Sequence, residues 1–178
     1  EQDTRSSSAD IIMTVLFIDK ILDCCKGIKN YLCSIMEVRP KKSLGQHFLN
    51  DTQVACRIVE SLSVDQEKFT GQGFPVVEVG PGTGVLTSFL LEKPGIDYYA
   101  IELDREAVTF LQKKYPGLGA RLITGDFLTV SRSVFPSGFF VIGNFPYNNS
   151  SQIFFRVLEW RESVPRIVGM LQKEVAQR

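Results

Sequence analysis

Strand-like and helix-like segments alternate along the sequence from about Pro40 onward, and this alternation restricts the fold more than any other feature. Short apolar runs that end at glycine or a polar turn are typical of buried strands, whereas longer amphipathic runs after a capping residue are typical of helices. The predicted strands are residues 74–79, 97–102, 121–124, 139–143 and 166–171. The predicted helices run from an Asp51 cap to about Leu62, over residues 86–92, from an Asp104 cap to about Tyr115, and from Ser150 or Ser151 to Trp160. Such elements, joined by right-handed crossovers, predict an α/β fold with a parallel, doubly wound sheet.

Residues 1–37 differ in composition from the rest of the chain. Residues 1–10 are polar and serine-rich, which is typical of disorder, and residues 11–36 have the apolar spacing of an amphipathic helix. This helix has two interpretations, a partner-binding element or an upstream extension, and Met36, a natural start before a basic run, favours the extension. We therefore predict a helical or disordered extension over residues 1–37, outside the domain at 38–178, and expect residues 1–35 to be dispensable for the fold.

The overall charge does not indicate a partner, because 20 Lys and Arg residues balance 20 Asp and Glu residues. Affinity for RNA therefore requires a local cluster, and Arg39, Lys41 and Lys42 form the candidate RNA-binding cluster. The four cysteines contain no C-x-x-C pair, and the apolar run at 11–22 is too short to span a membrane. We expect a cytoplasmic, monomeric protein with reduced thiols, no metal and no membrane contact.

Three glycines, Gly80, Gly82 and Gly84, come directly after the predicted strand 74–79 and before a helix. Glycine lets the backbone pass close to a ligand at the carboxyl end of a parallel sheet. The spacing G-x-G-x-G differs from the G-x-G-x-x-G that wraps a pyrophosphate, so a cofactor without phosphates fits better, and S-adenosylmethionine has none. The alternative is an ordinary tight turn between a strand and a helix.

Acidic residues follow the next two strands at the same edge of the sheet. Glu102 stands about 20 residues after Gly80, the spacing expected of a carboxylate that accepts hydrogen bonds from ribose hydroxyls. Asp126 can accept a hydrogen bond from the adenine amine of a cofactor, with Phe127 against the adenine ring. The alternatives are a solvated acid at the end of a strand for Glu102 and a turn aspartate for Asp126.

The sequence Asn144-Phe-Pro-Tyr147, after the fourth strand, indicates chemistry on adenine. The lone pair of adenine N6 is delocalised into the ring and is a poor nucleophile. The Asn144 side-chain oxygen and the Pro146 carbonyl can accept the two N6 hydrogens and localise that lone pair, while Tyr147 offers a ring on which a flipped-out base stacks. The alternative is a type I turn with proline at its second position, which the preceding cofactor motifs disfavour.

Six motifs in one order resemble the small-subunit ribosomal RNA adenine N6,N6-dimethyltransferase family, over about residues 38–178. They are Lys-Lys-Ser-Leu-Gly-Gln-His-Phe-Leu-Asn-Asp at 41–51, Val-Glu-Val-Gly-Pro-Gly-Thr-Gly at 77–84, Ile-Glu-Leu-Asp at 101–104, Gly-Asp-Phe at 125–127, Gly-Asn-Phe-Pro-Tyr-Asn at 143–148 and Met-Leu-Gln-Lys-Glu-Val-Ala at 170–176. The resemblance implies a Rossmann-like, S-adenosylmethionine-dependent methyltransferase fold. It also implies transfer of two methyl groups to N6 of each of two adjacent adenines near the 3′ end of small-subunit rRNA, in the immature small ribosomal subunit.

The resemblance assigns roles to single residues as well. The implied catalytic residues are Asn144, Pro146 and Tyr147. The cofactor-binding residues that we expect from the motifs and the resemblance together are Gln46, His47, Leu49, Gly80, Gly82, Glu102, Asp126, Phe127 and Asn144. His47 stands where many members have asparagine, and Phe145 where leucine is commoner.

The family continues for about 90 residues beyond the last motif, a size that suits the closing strands and a small helical domain. The resemblance therefore implies that this chain is truncated before those parts. A DNA adenine or protein glutamine methyltransferase, with an Asn-Pro-Pro-Tyr motif, is a rival prediction that Phe145 and the loop at 45–49 argue against. A non-catalytic ribosome-assembly or RNA-binding factor with the same fold is the alternative from a different class.

Overall fold

The computed structural model describes residues 12–16, 49, 51–62, 73–146 and 149–170 of the chain. The strands are β1 (Ile12–Leu16), β2 (Phe74–Val79), β3 (Ile96–Glu102), β4 (Leu122–Thr124), β5 (Phe140–Asn144) and β6 (Arg166–Met170). The α-helices are α1 (Thr52–Glu60), α2 (Val85–Glu92), α3 (Arg105–Lys114) and α4 (Ser150–Glu159). Within these described ranges, no helix has both the length and the apolar character needed to cross a membrane.

All six strands pair in parallel in one sheet, in the order β1-β6-β5-β2-β3-β4. The chain leaves β2 toward β3 and β4 on one side, and then returns to β5 and β6 on the other side. The strand order therefore changes direction between β2 and β5, and the carboxyl ends of these two strands border the crevice where such sheets bind ligands. The predicted parallel, doubly wound α/β fold is confirmed.

Two apolar cores cover the two faces of the sheet. Side chains from α1, α2 and α3 pack on one face, against strand residues such as Val76 and Ile142. Residues of α4 pack on the other face, against Val77 and Val141. Neighbouring residues of one strand point to opposite faces, so burial on both faces explains why β2 and β5 are apolar almost throughout.

Helices α1 and α3 begin at the predicted caps. The Asp51 carboxylate accepts hydrogen bonds from the backbone N–H groups of Gln53 (2.8 Å) and Val54 (3.2 Å), and α1 begins one residue later. The Asp104 carboxylate accepts a hydrogen bond from Glu106 N–H at 3.0 Å, and α3 begins at Arg105. Each cap satisfies N–H groups that lack partners within the helix, and α3 is thereby fixed directly after the end of β3.

The amino-terminal segment contains a strand where the sequence predicts a helix. Residues 12–16 form β1 and pair in parallel with β6, from Ile12 opposite Arg166 to Leu16 opposite Met170. The helix predicted over 11–36 is therefore wrong at 12–16, and positions 17–36 lie outside the described residues. The run Ile-Met-Thr-Val-Leu is rich in β-branched residues, which favour strands, and β6 offers a row of backbone groups for it to pair with.

Candidate active site

A cavity of about 180 Å³ opens at the carboxyl ends of β2, β3 and β5, next to the point where the strand order changes direction. Side chains or backbone from five of the six sequence motifs reach this one edge of the sheet. The predicted site residues that line the cavity are Leu49, Gly80, Gly82, Glu102, Asp126, Phe127, Asn144 and Pro146. Parallel strands bring residues that are distant in sequence to one edge, which explains why scattered motifs meet here.

The glycine loop is shaped by backbone conformation at its first two glycines and by packing at its third. Gly80 and Gly82 have φ values of 69° and 57°, in the left-handed region that favours glycine. Gly84 also has a positive φ, and a Cβ on it would lie 2.9 Å from Leu111 Cδ2 and 3.0 Å from Tyr115 Cε2. Gly84 thus permits close contact between the start of α2 and α3, whereas Gly80 and Gly82 turn the chain along the cavity wall.

The Glu102 carboxylate joins the end of β3 to the glycine loop. One oxygen accepts a hydrogen bond from Gly82 N–H at 3.0 Å, and the other accepts one from Asp104 N–H at 2.9 Å. Burial raises the pKa of this carboxyl, and these backbone donors oppose the increase. Leu103 N–H is a further backbone donor to this carboxylate. A carboxylate has about four acceptor positions, so Glu102 keeps acceptor capacity after these backbone bonds are made.

Asp126 and Phe127 serve the local structure as well as the cavity wall. The Asp126 carboxylate accepts a hydrogen bond from Leu128 N–H at 2.9 Å, so the turn role that the sequence left open is present. The Phe127 ring is buried and packs edge-on against Trp160, with 5.3 Å between the ring centroids. Phe127 is therefore held by the core while it also borders the cavity.

The residues predicted to bind the target amine lie where β5 ends. Asn144 is the last residue of β5 and is in register with Met170 of β6. The Pro146 carbonyl accepts a hydrogen bond from Asn149 N–H at 3.1 Å, just before α4 begins. That bond uses one of the two lone pairs of the carbonyl oxygen and fixes the turn between a strand and a helix.

Glu78 and Leu103 line the cavity and were not predicted as site residues. Glu78 is 1% exposed, and its Oε2 accepts hydrogen bonds from Tyr98 Oη (2.6 Å) and Thr87 Oγ1 (2.8 Å). Burial raises the pKa of Glu78 to about 7. The sequence feature that could have identified Glu78 is an acidic residue inside an otherwise apolar strand. Leu103 is 49% exposed and borders the cavity. The sequence feature that could have identified it is an apolar residue between two acidic residues.

The charged groups in the described part of the cavity wall are all acidic. Glu78, Glu102 and Asp126 contribute carboxyl groups, and none of the described lining residues is Lys, Arg or His. A phosphate would meet carboxylates without a compensating cation, whereas a ligand with positive charge would be attracted. Exposed Leu103 adds an apolar patch of the kind that an aromatic ring can cover.

Several predicted site residues lie outside the residues that the structure describes. They are the loop residues Gln46 and His47, the proposed stacking residue Tyr147, and the basic residues Arg39, Lys41 and Lys42. Their roles stay predictions.

Comparison with known proteins identifies the family to which this architecture belongs. The sequence profile described as "Ribosomal RNA adenine dimethylase" matches residues 38–178. The chain belongs to the ribosomal RNA adenine dimethylase family. The resemblance found in the six motifs is therefore confirmed.

Relatives in this family are similar over most of the chain. A protein named ribosomal RNA small subunit methyltransferase A from Parabacteroides distasonis is 53% identical over 142 residues, which are 79% of this chain and 51% of that protein. The protein of the same name from Porphyromonas gingivalis is 51% identical over 147 residues, 81% of this chain and 54% of that protein. The chain spans about half the length of the curated relatives it matches.

Solved structures of RNA methyltransferases share the fold. The crystal structure of the 23S rRNA methyltransferase ErmE aligns with a TM-score of 0.60 and 28% identity, over 74% of this chain and 50% of that one. A dimethyladenosine transferase from Plasmodium falciparum aligns with a TM-score of 0.58 and 28% identity, over 74% of this chain and 46% of that one. The Rossmann-like methyltransferase architecture predicted for this chain is confirmed.

Proposed function

We propose that this protein transfers methyl groups from S-adenosylmethionine to N6 of two adjacent adenines near the 3′ end of small-subunit rRNA. The observation that carries the proposal is the meeting of the glycine loop, Glu102, Asp126 and the turn 144–146 around one cavity. Membership of the family and the names of its relatives support the same substrate class. Arg39, Lys41 and Lys42 supply local positive charge for the phosphates of the RNA.

The residues of the cavity fit S-adenosylmethionine. This cofactor has no phosphate and carries a sulfonium and an ammonium group, which suits a wall that holds carboxyl groups and no cation among its described residues. Glu102 is placed to accept hydrogen bonds from ribose hydroxyls, and Leu103 offers an apolar surface to the adenine ring. When bound, the cofactor supplies an electrophilic methyl group on its sulfonium.

The turn at the end of β5 prepares the target amine. Asn144 Oδ1 and the Pro146 carbonyl accept the two N6 hydrogens, so the nitrogen lone pair is directed away from the adenine ring and toward the methyl group. Tyr147 stacks on the flipped-out base and holds its plane. Because the methyl sulfonium is reactive, orientation supplies most of the rate increase and no strong general base is needed.

Replacing Asn144 by alanine tests this assignment. Loss of one preorganised polar contact lowers the rate by about 10²–10³-fold, while the fold should persist because Asn144 lies at the end of a strand. The assay is single-turnover transfer of labelled methyl groups to unmethylated small ribosomal subunits, with N6,N6-dimethyladenosine identified by mass spectrometry of the nucleosides.

The matched control is Gln112→Ala, on an exposed position of α3 away from the cavity. Its rate should equal that of the unsubstituted chain. A near-normal rate for Asn144→Ala would remove Asn144 from the mechanism. Binding of small subunits without any methyl transfer, by a chain that binds the cofactor, would favour the non-catalytic assembly factor instead.

A further inference from the structure

Phe145 lies between the two proposed acceptors of the target amine, Asn144 and Pro146, and its own side chain is buried. It is 1% exposed and belongs to the core between the sheet and α4. Its ring meets Phe154 of α4 edge-on, with 5.7 Å between centroids. The middle residue of the proposed catalytic turn is therefore anchored in the core rather than in the cavity.

The ring of Phe145 also covers two glycines that face each other on neighbouring strands. Gly143 of β5 is in register with Gly169 of β6. A Cβ on Gly169 would overlap Cε2 of Phe145, and a Cβ on Gly143 would lie 2.8 Å from its Cε1. Neither glycine has a positive φ, so the backbone conformation does not require glycine at either position. Glycine inside a strand often marks the close approach of another group. At Gly169 the nearest group is the ring, and at Gly143 the ring is joined by the Val79 carbonyl oxygen, 2.7 Å from the added Cβ.

We propose that Phe145 is a positioning residue for methyl transfer. Its ring, seated over the pair Gly143 and Gly169, sets the direction in which the turn 144–146 faces the cavity. This inference rests on the proposed function. Because the ring is closely packed between two strands and a helix, a change in its position also moves the turn 144–146. Misplacement of reacting groups by 1 Å lowers a rate by about 100-fold.

Gly169 gives access to this ring without touching the site, because it does not line the cavity. In Gly169→Ala the added methyl group displaces the Phe145 ring, and we expect single-turnover methyl transfer to fall by about 100-fold. The KM for small subunits and the Kd for S-adenosylmethionine should change less than the rate does, because the RNA-binding cluster and the cofactor-binding residues other than Asn144 lie outside the displaced turn.

A double-mutant cycle isolates the contact with the ring. In the Phe145→Leu background the shorter side chain leaves room for the methyl group, so the loss caused by Gly169→Ala should be smaller by about tenfold or more. The added Cβ also lies 2.9 Å from the Gly143 carbonyl oxygen, and that contact is present in both backgrounds and cancels in the cycle. Losses of equal size in the two backgrounds would overturn the proposal.

A matched control separates positioning from general loss of core packing. Phe139→Leu makes the same substitution in the same core, at a residue with 0% exposure outside the cavity wall. When the two variants are compared relative to their loss of melting temperature, Phe145→Leu should lower the rate of methyl transfer more than Phe139→Leu does. Equal rates in these two variants would mean that Phe145 has a purely structural role, and this comparison holds even if Gly169→Ala does not fold.

Nuclear magnetic resonance of the Asn144 side-chain amide gives a readout that needs no activity. Its signals should shift in Gly169→Ala, shift much less when the same change is made in the Phe145→Leu background, and stay in place in Phe139→Leu. If the unsubstituted chain binds S-adenosylmethionine and small subunits but transfers no methyl group, the proposed function fails and these signals decide the positioning role alone. Unchanged Asn144 signals in Gly169→Ala would overturn it.

Discussion

Replacing Glu78 by glutamine should change how the stability of the protein depends on pH. Burial raises the pKa of the Glu78 carboxyl from 4.5 to about 7, the hydrogen bonds from Tyr98 and Thr87 lower it, and the charge of Glu102 raises it further. Burial also raises the pKa of Tyr98, so its hydroxyl stays protonated and remains a donor to Glu78. Burial raises the pKa of the neighbouring Glu102 carboxyl as well. Tyr115, a further titratable neighbour, has its pKa raised to about 12 and stays neutral.

The sign follows from proton binding in the two states. Since the folded-state pKa of Glu78 is the higher one, its contribution to stability is complete below pH 4.5 and is lost as the pH rises through 7. Each pKa unit corresponds to about 1.4 kcal/mol, so the free energy of unfolding should fall by about 3 kcal/mol relative to Glu78→Gln between about pH 4 and pH 8. Both hydrogen bonds end on one oxygen of Glu78, and the amide oxygen of glutamine can accept both without titrating.

Urea denaturation of both proteins at stepped pH measures this difference. Trp160 is the only tryptophan and packs against Phe127 and Phe139, so its fluorescence reports unfolding of the core. Tyr98→Phe removes a hydrogen bond that lowers the pKa of Glu78, and it should move the loss of stability to higher pH. A stability difference between the unsubstituted chain and Glu78→Gln that stays constant from pH 5 to pH 8 would refute the reasoning.

Three further changes test other parts of the site and fold. Glu102→Ala should weaken S-adenosylmethionine binding by about 1–3 kcal/mol in calorimetry, the usual loss for charge-assisted hydrogen bonds, and equal affinity would reject the ribose assignment. Tyr147→Ala should impair capture of the target base, since stacking contributes about 1–3 kcal/mol per base, whereas Tyr147→Phe keeps the ring and should be milder in single-turnover assays. The pairing of β1 with β6 changes the expectation that residues 1–35 are dispensable: deleting them should lower the free energy of unfolding by about 1–3 kcal/mol through loss of the hydrogen bonds between these strands. Deleting 1–11 should not lower it, and equal melting temperatures for the two deletions would show that β1 contributes nothing.

Much of the fold could be predicted because local signals and tertiary structure agree. The strand at 74–79, the caps Asp51 and Asp104 and the glycines at 80–84 all appear where their residue types place them. The prediction failed at residues 12–16, where apolar spacing favoured a helix. A short amphipathic segment takes the structure for which it finds a partner, and the partner here is the backbone of β6, more than 140 residues away in sequence.

The sequence by itself determined the family and predicted the chemistry of the site, because the glycine spacing, the acids after the strands and the Asn-Phe-Pro-Tyr motif are local patterns of residue type. The tertiary structure alone decided how these groups are held. It assigned Gly84 to the contact between α2 and α3, buried Glu78 beneath the cavity, and seated Phe145 over a pair of glycines. The physical reason is that each of these roles depends on atoms from segments that are distant in sequence. These atoms come close to one another only when the parallel sheet forms.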